Sequence, residues 1–170
     1  MMNQETQNTT VPPAINEELA KLREEIQSLL GDEAVFELNG KLPAFRVPAS
    51  SVHAACKKLK DNGFDYLLFV TAVDYPQQNK IELVYMIGSY CNQREIALVA
   101  DVDRTNPEVE TVCDIWQGAN WHEREVYDLF GVNFKNHPFL RRILLDDSWE
   151  GHPLRKDYVD KVHNVVKRPY

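Results

Sequence analysis

The sequence predicts an α+β fold: an antiparallel or mixed sheet with two or three helices packed on it, followed by an extended C-terminal arm. Three observations predict it. Residues 16–31 and 50–63 carry apolar side chains at helical spacing. Runs at 66–74, 80–89 and 95–101 read as strands, and the turns between them are of hairpin length, which pairs them antiparallel. Beyond Gly131, nearly forty residues run with little periodicity. Helices on one face of such a sheet make a two-layer body, and the rest is the arm.

Residues 1–13 are polar, end in Pro12-Pro13 and read as a disordered leader; the body is 14–131 and the arm 132–170. Asn16 is placed to cap a helix with Leu19, Leu22, Ile26, Leu29 and Leu30 on its apolar stripe, and Gly31 ends it. Glu33 to Leu38 alternates as a strand, Asn39-Gly40 is a hairpin turn and Leu42 to Val47 the return strand. Ser50 or Ser51 caps a second helix, with Val52, Ala55, Cys56 and Leu59 inward and Gly63 at its end. In the run 80–89, Ile81, Leu83, Tyr85 and Ile87 form one face. The other face is less polar than exposure requires, as in a central strand. A turn at 103–107 leads to a predicted short helix from Pro107 to Trp116. Asn120 then caps a further helix, Glu123 takes the capping-box position, and Gly131 fits the left-handed site after the last turn.

The chain's 170 residues allow one domain plus an arm, and 44% hydrophobic content is ample for one core. A net charge of −7 argues against nucleic acid as a partner. The charge is uneven. Residues 1–130 hold 11 basic and 21 acidic side chains; residues 131–170 hold 8 and 5. A basic arm on an acidic body calls for an acidic docking surface on another protein, or on the body itself. The arm is rich in Trp, Phe, Leu and Ile, so it is expected to lie on another protein's surface rather than to be disordered. Cys56, Cys91 and Cys113 are far apart and form no C-x-x-C pair, which excludes a locally ligated iron–sulfur cluster and points to free thiols in a reducing compartment. The apolar run Tyr66 to Val73 is too short to cross a bilayer, so any membrane contact is expected through a partner.

Catalytic patterns are sparse. There is no phosphate loop, no G-x-G-x-x-G and no G-x-S-x-G; His122-Glu123 opens like a zinc-protease motif, but position 126 is Val. Glu125, with His122, is the candidate acid–base pair of a stand-alone enzyme. Against that, Glu123 is expected to cap the helix and Arg124 to pair with Asp128 one turn on. The arm contains a near-repeat, N-H-P-F-L-R-R at 136–142 and G-H-P-L-R-K at 151–156. Proline holds each preceding His extended. His137 and His152 are expected to bond backbone or carboxylate rather than a metal, while Phe139, Trp149 and Leu154 suit buried interface anchors.

The stretch N-W-H-E-R-E-V-Y-D-L-F-G-V-N-F-K-N-H-P-F-L-R-R-I-L, residues 120–144, resembles the signature of the respiratory complex I thirty-kilodalton subunit family, the C-type subunit of NADH–quinone oxidoreductase. The match continues through D-D-S-W-E-G-H-P-L-R-K-D-Y, and T-A-V-D-Y-P and I-E-L-V-Y-M look like the family's core strands; in all it covers roughly residues 15–158. Departures are His122, where the family commonly has an aromatic, and Val159, where a Pro often stands. On this resemblance the signature and subunit interface fall on Trp121, Glu123, Arg124, Glu125, Asp128, Gly131, His137, Pro138, Arg141 and Arg142. Further along they fall on Trp149, Gly151, His152, Pro153, Leu154, Arg155, Asp157 and Tyr158.

The resemblance implies a structural subunit with no catalytic residue, metal or cofactor of its own. FMN and Fe–S clusters would sit in partner subunits of a proton-translocating complex that passes electrons from NADH to quinone. The implied partners are the forty-nine-kilodalton, D-type subunit, wrapped by the arm, and the B-type Fe–S protein. The implied location is peripheral, at the cytoplasmic face of the cell inner membrane. Related subunits occur in hydrogenase-like and ferredoxin-linked membrane complexes, so an equivalent subunit there is the alternative.

Overall fold

The computed structural model describes residues 13–39 and 42–160. The leader to residue 12, the turn at 40–41 and residues 161–170 of the arm lie outside the described residues. The elements are α1 (Pro13–Leu30), β1 (Val35–Asn39), β2 (Leu42–Arg46), α2 (Val52–Asp61), β3 (Tyr66–Tyr75), β4 (Lys80–Ser89), β5 (Arg94–Asp103), β6 (Glu108–Glu110), α3 (Ala119–Phe130) and β7 (Asn133–Lys135). The predicted α+β class holds. α1 begins at Pro13, so Asn16 lies inside the helix rather than at its cap.

Five strands form one mixed sheet in the order β1-β2-β5-β4-β3. The hairpins β1–β2, β3–β4 and β4–β5 are antiparallel, as expected from their short connections. β5 closes the gap by running parallel to β2, with Phe45 opposite Leu98. β4 is paired on both sides, which explains its two apolar faces. Its inward side chains Ile81, Leu83, Tyr85 and Ile87 are all fully buried. They meet Ile96 and Leu98 of β5, Leu22 and Ile26 of α1, and Val52, Cys56 and Leu59 of α2 in one core. On the sheet's other face Ala44, Met86, Ala97 and Val99 form a small apolar cluster. Arg46 crosses that face to bond Glu37, Glu82 and Asp101.

The expected helix from Pro107 to Trp116 does not form. Glu108–Glu110 is a strand, β6, pairing in parallel with β7, Val109 opposite Phe134. Val109, Val112 and Phe134 are buried in the main core. Alternation of Val109 with flanking acids is a period of two, and that, with the partner strand supplied by residues just after α3, overrides a short helical reading. The first residues of the arm are therefore built into the body. Ser51 occupies the N-cap position of α2, but its hydroxyl donates to Glu33 instead of capping.

Candidate functional site

α3 is the element around which the signature residues gather. Its N-terminus follows Gly118, with no side-chain cap, so Asn120 lies within the first turn rather than before it. Glu123 is not a cap. It is fully buried and accepts hydrogen bonds from the Val112 N–H (2.8 Å), the Thr111 hydroxyl and the Cys113 thiol (3.2 Å). Burial pushes its carboxyl above the ordinary range, against the pull of those donors. The same surroundings push the Cys113 thiol up to about 12, burial being the main cause, so it is a poor nucleophile.

Arg124 and Asp128 do not pair with each other, contrary to the one-turn spacing. Arg124 donates from Nε to the Arg141 carbonyl and from Nη2 to the Arg142 carbonyl, both at 3.2 Å. Asp128 turns to the arm. Its Oδ1 accepts from Arg142 Nη1 at 2.6 Å, and its Oδ2 accepts the N–H groups of Ile143, Leu144 and Leu145 at 2.8–3.0 Å. Burial opposes charge on Asp128, but the Leu145 N–H, the Arg142 guanidinium and the other two N–H groups outweigh it and hold the carboxyl below its usual range. A carboxylate at the centre of three successive amides fixes their backbone, which a helical partner one turn away would not do.

The arm also completes the C-terminal end of α3, where the last four carbonyls have no partner within the helix. The Tyr127 carbonyl accepts the Gly131 N–H; that of Asp128 accepts Arg142 Nη1 and His152 Nδ1; that of Leu129 accepts the Leu154 N–H; that of Phe130 accepts Arg155 Nε. Two guanidinium groups at this end also suit the helix dipole. Gly131 takes the expected left-handed conformation, φ +75°, and a Cβ there would run into the His152 imidazole. Both facts require glycine. Arg142 Nη2 further holds the Trp149 and Gly151 carbonyls. Gly151 is at φ +83° with the Tyr158 ring packed where a side chain would be. Trp149, Pro153 and Tyr158 are half-buried in this segment.

A second attachment lies on β3. Asp74 accepts from Arg104 (2.7 and 3.1 Å) and from the Lys156 N–H (2.8 Å), and Arg104 also pairs with Asp157. The Arg104 bond holds the Asp74 carboxyl low despite burial. Sequence reasoning missed both Asp74 and Arg104. The signal was present: Val70, Ala72 and Asp74 are in phase on one face of β3, and an acid at a buried register position must find a cation or donors. Thus the described arm, to residue 160, is bonded to its own body, and not only to another protein's surface as its composition led one to expect; the body was the second docking surface that the charge asymmetry allowed.

His137 and His152 contact different turns of α3 and form no common site. The donor atoms of Cys113, Glu123 and His137 do converge, lying within 4.8 Å of one another. Their hydrogen bonds argue against a metal there. His137 Nδ1 accepts the Phe139 N–H at 3.0 Å, so its proton is on Nε2, which faces the Asn120 carbonyl at 3.3 Å and Glu123 at 3.9 Å. A histidine ligating through Nε2 has the opposite arrangement, a bare Nε2 and a donating Nδ1, and ligation through Nδ1 would cost the Phe139 hydrogen bond. Burial lowers the His137 pKa from its ordinary value. The candidate acid–base pair is on the outside: Glu125 is exposed and His122 half-buried. Also exposed are Trp121, Pro138, Phe139, Arg141, Leu144 and Leu154.

Residues 45–163 match the model of the respiratory-chain NADH dehydrogenase 30 kDa subunit family. The chain belongs to this family. Among its relatives, the C subunit of NADH-quinone oxidoreductase from Moorella thermoacetica is 44% identical over 136 residues, covering 79% of this chain and 91% of the relative. The C subunit of F(420)H(2) dehydrogenase from Methanosarcina mazei is 42% identical over 141 residues, covering 78% and 89%. Among solved structures, a trypsin-resistant fragment of Nqo5 superposes with TM-score 0.59 at 28% identity, covering 72% of this chain and 98% of that one. A chain of an archaeal membrane-bound sulfane sulfur reductase shares the fold, with TM-score 0.74 at 24% identity over 90% of this chain and 99% of that one.

Proposed function

We propose that this chain is a cofactor-free structural subunit in the peripheral arm of a proton-translocating NADH–quinone oxidoreductase. It holds the D-type subunit that forms the quinone site and the neighbouring B-type Fe–S protein, while FMN and the Fe–S clusters reside in partner subunits. One observation carries the reading beyond family membership: the buried charges of the signature, Glu123, Arg124 and Asp128, are all spent on fixing the chain's own backbone. None is left aimed at a substrate. The result is a rigid surface that presents Trp121, Phe139, Leu144 and Leu154 to a neighbour. Ordering that surface before docking removes an entropic cost of about 0.5–1.5 kcal/mol per immobilised side chain.

No helix among the described residues is long and apolar enough to cross a membrane. The proposed location is peripheral, through the complex, at the cytoplasmic face of the inner membrane. The Methanosarcina mazei relative, almost as similar as the Moorella one, favours a second reading: the same scaffold in a complex with another electron donor. Affinity purification of the tagged chain from membranes, with mass spectrometry of the attached subunits, tests both. Recovery of a D-type quinone-site subunit and an NADH-oxidising flavoprotein supports the first, and a different donor module the second. Recovery of the chain alone, or saturable turnover lost in Glu125→Gln, rejects both in favour of a stand-alone enzyme.

A further inference from the structure

The outer flank of α3 carries an aromatic and cationic patch. Trp121 is 61% and Phe139 53% exposed. The Arg124 guanidinium lies between them, 5.2 Å from the Trp121 ring centre and 5.6 Å from that of Phe139, and the Arg141 guanidinium sits 4.3 Å over the Phe139 ring. The four side chains form one continuous stack. Beside Trp121 an open pocket of about 370 Å³ is lined by Cys113, Gln117, Asn120 and Pro138.

The two arginines of the Arg141-Arg142 step are used differently. Arg142 is spent inside, on Asp128 and two carbonyls. Arg141 is exposed, its carbonyl is held by Arg124, and among the described residues its side chain forms the Phe139 stack but no ion pair. An exposed guanidinium seated over a ring keeps its N–H donors free for a ligand, and their fork matches a carboxylate.

We infer that this patch docks a segment of a neighbouring protein that carries a carboxylate next to an apolar or aromatic side chain. The carboxylate pairs with Arg141 and the apolar side chain enters the pocket beside Trp121. The inference rests on the subunit reading above and names the chemistry of one of its contacts. Trp, Phe and Arg at the centre of a patch are the composition that dominates protein interfaces. An anionic bilayer or a nucleic acid fits less well. One unpaired cation adds little affinity for either, whereas one guanidinium is enough to match a single carboxylate.

The test places a photo-crosslinking p-benzoylphenylalanine at position 139 of the full chain, expressed in its own membranes. The expected product is a crosslink to one segment of another subunit with an Asp or Glu within a few residues of the linked site. Arg141→Glu, and more mildly Arg141→Gln, should lower its yield by about tenfold. Lys57→Glu, the same change of charge on exposed α2, should leave it unchanged. Thermal unfolding of the Arg141 variants should match wild type, separating lost docking from lost folding. Crosslinks to lipid, to nucleic acid, to a second copy of this chain or to a segment without an acid overturn the inference, as does equal loss with Lys57→Glu. If the complex is recovered but no crosslink forms, the docking inference alone fails; if no complex is recovered, the subunit reading fails first.

Discussion

Asp128 and Arg142 meet at 2.6 Å with Asp128 fully buried, and around that pair the segment 141–158 is wound onto the end of α3. Three amides, two carbonyls and the helix terminus all depend on these two side chains. Breaking a buried pair leaves the other charge uncompensated, at about 3–5 kcal/mol. Asp128→Ala should therefore lower the melting temperature by roughly 6–20 °C for a chain of this size. Hydrogen exchange should show the amides of Ile143, Leu144 and Leu145 losing protection in Asp128→Ala while those of β4 keep theirs. Uniform loss everywhere would mean that the pair stabilises the whole body rather than this segment.

Gly131 allows a cleaner comparison. Gly63→Ala and Gly131→Ala both force alanine into a left-handed backbone, φ +90° and +75°, but only at Gly131 does a Cβ meet another group, the His152 ring. Gly63→Ala should cost about 1 kcal/mol and Gly131→Ala about 2–3 kcal/mol more. Urea midpoints measure the difference. Equal midpoints would show that the 152 loop yields without cost.

The buried carboxyls impose opposite pH dependences. Asp128 and Asp74 are held below their ordinary values, so the stability they supply is present above the unfolded pKa, about 3.9, and is lost as pH falls through the folded values. Glu123 is raised by burial, so its folded form binds the proton more tightly, and stability falls as pH rises from about 4.3 through the folded value. Glu123→Gln should remove that second slope. Wild type should lose stability relative to Glu123→Gln as pH rises above about 4.3 in urea titrations, and a constant or reversed difference would contradict the assignment.

Asp74 ties the arm to β3 through Arg104 and the Lys156 N–H. Asp74→Ala should free residues 155–157, and trypsin should then cut after Arg155 or Lys156 faster, by about tenfold for each 1.4 kcal/mol of lost local stability. An unchanged cleavage rate would show that the bonds to Leu129 and Phe130 suffice.

Local pattern was enough for the helices α1 and α2, the hairpins and the glycine end of α3, because each follows from residues a few positions apart. Periods of two and 3.6 and glycine after a last helical turn are short-range signals. The 120–158 stretch could also be picked out, and its family named, from the order of its residues. The partners of its charges could not. Glu123 looked like a cap and Arg124–Asp128 like a one-turn pair because both spacings fit an isolated helix in water. In the folded chain the same side chains are buried, and a buried charge takes whichever donors or acceptors desolvate it least.

By itself, then, the sequence determined the α+β class and the positions of most elements, since those depend on local periodicity and turn chemistry. Only the tertiary structure decided the parallel β2–β5 pairing, the β6–β7 ladder and the winding of the arm onto its own helix end. Those depend on contacts between residues far apart in the chain, such as Asp74 with Lys156. Burial there makes a hydrogen bond between distant groups worth more than any partner nearby in sequence.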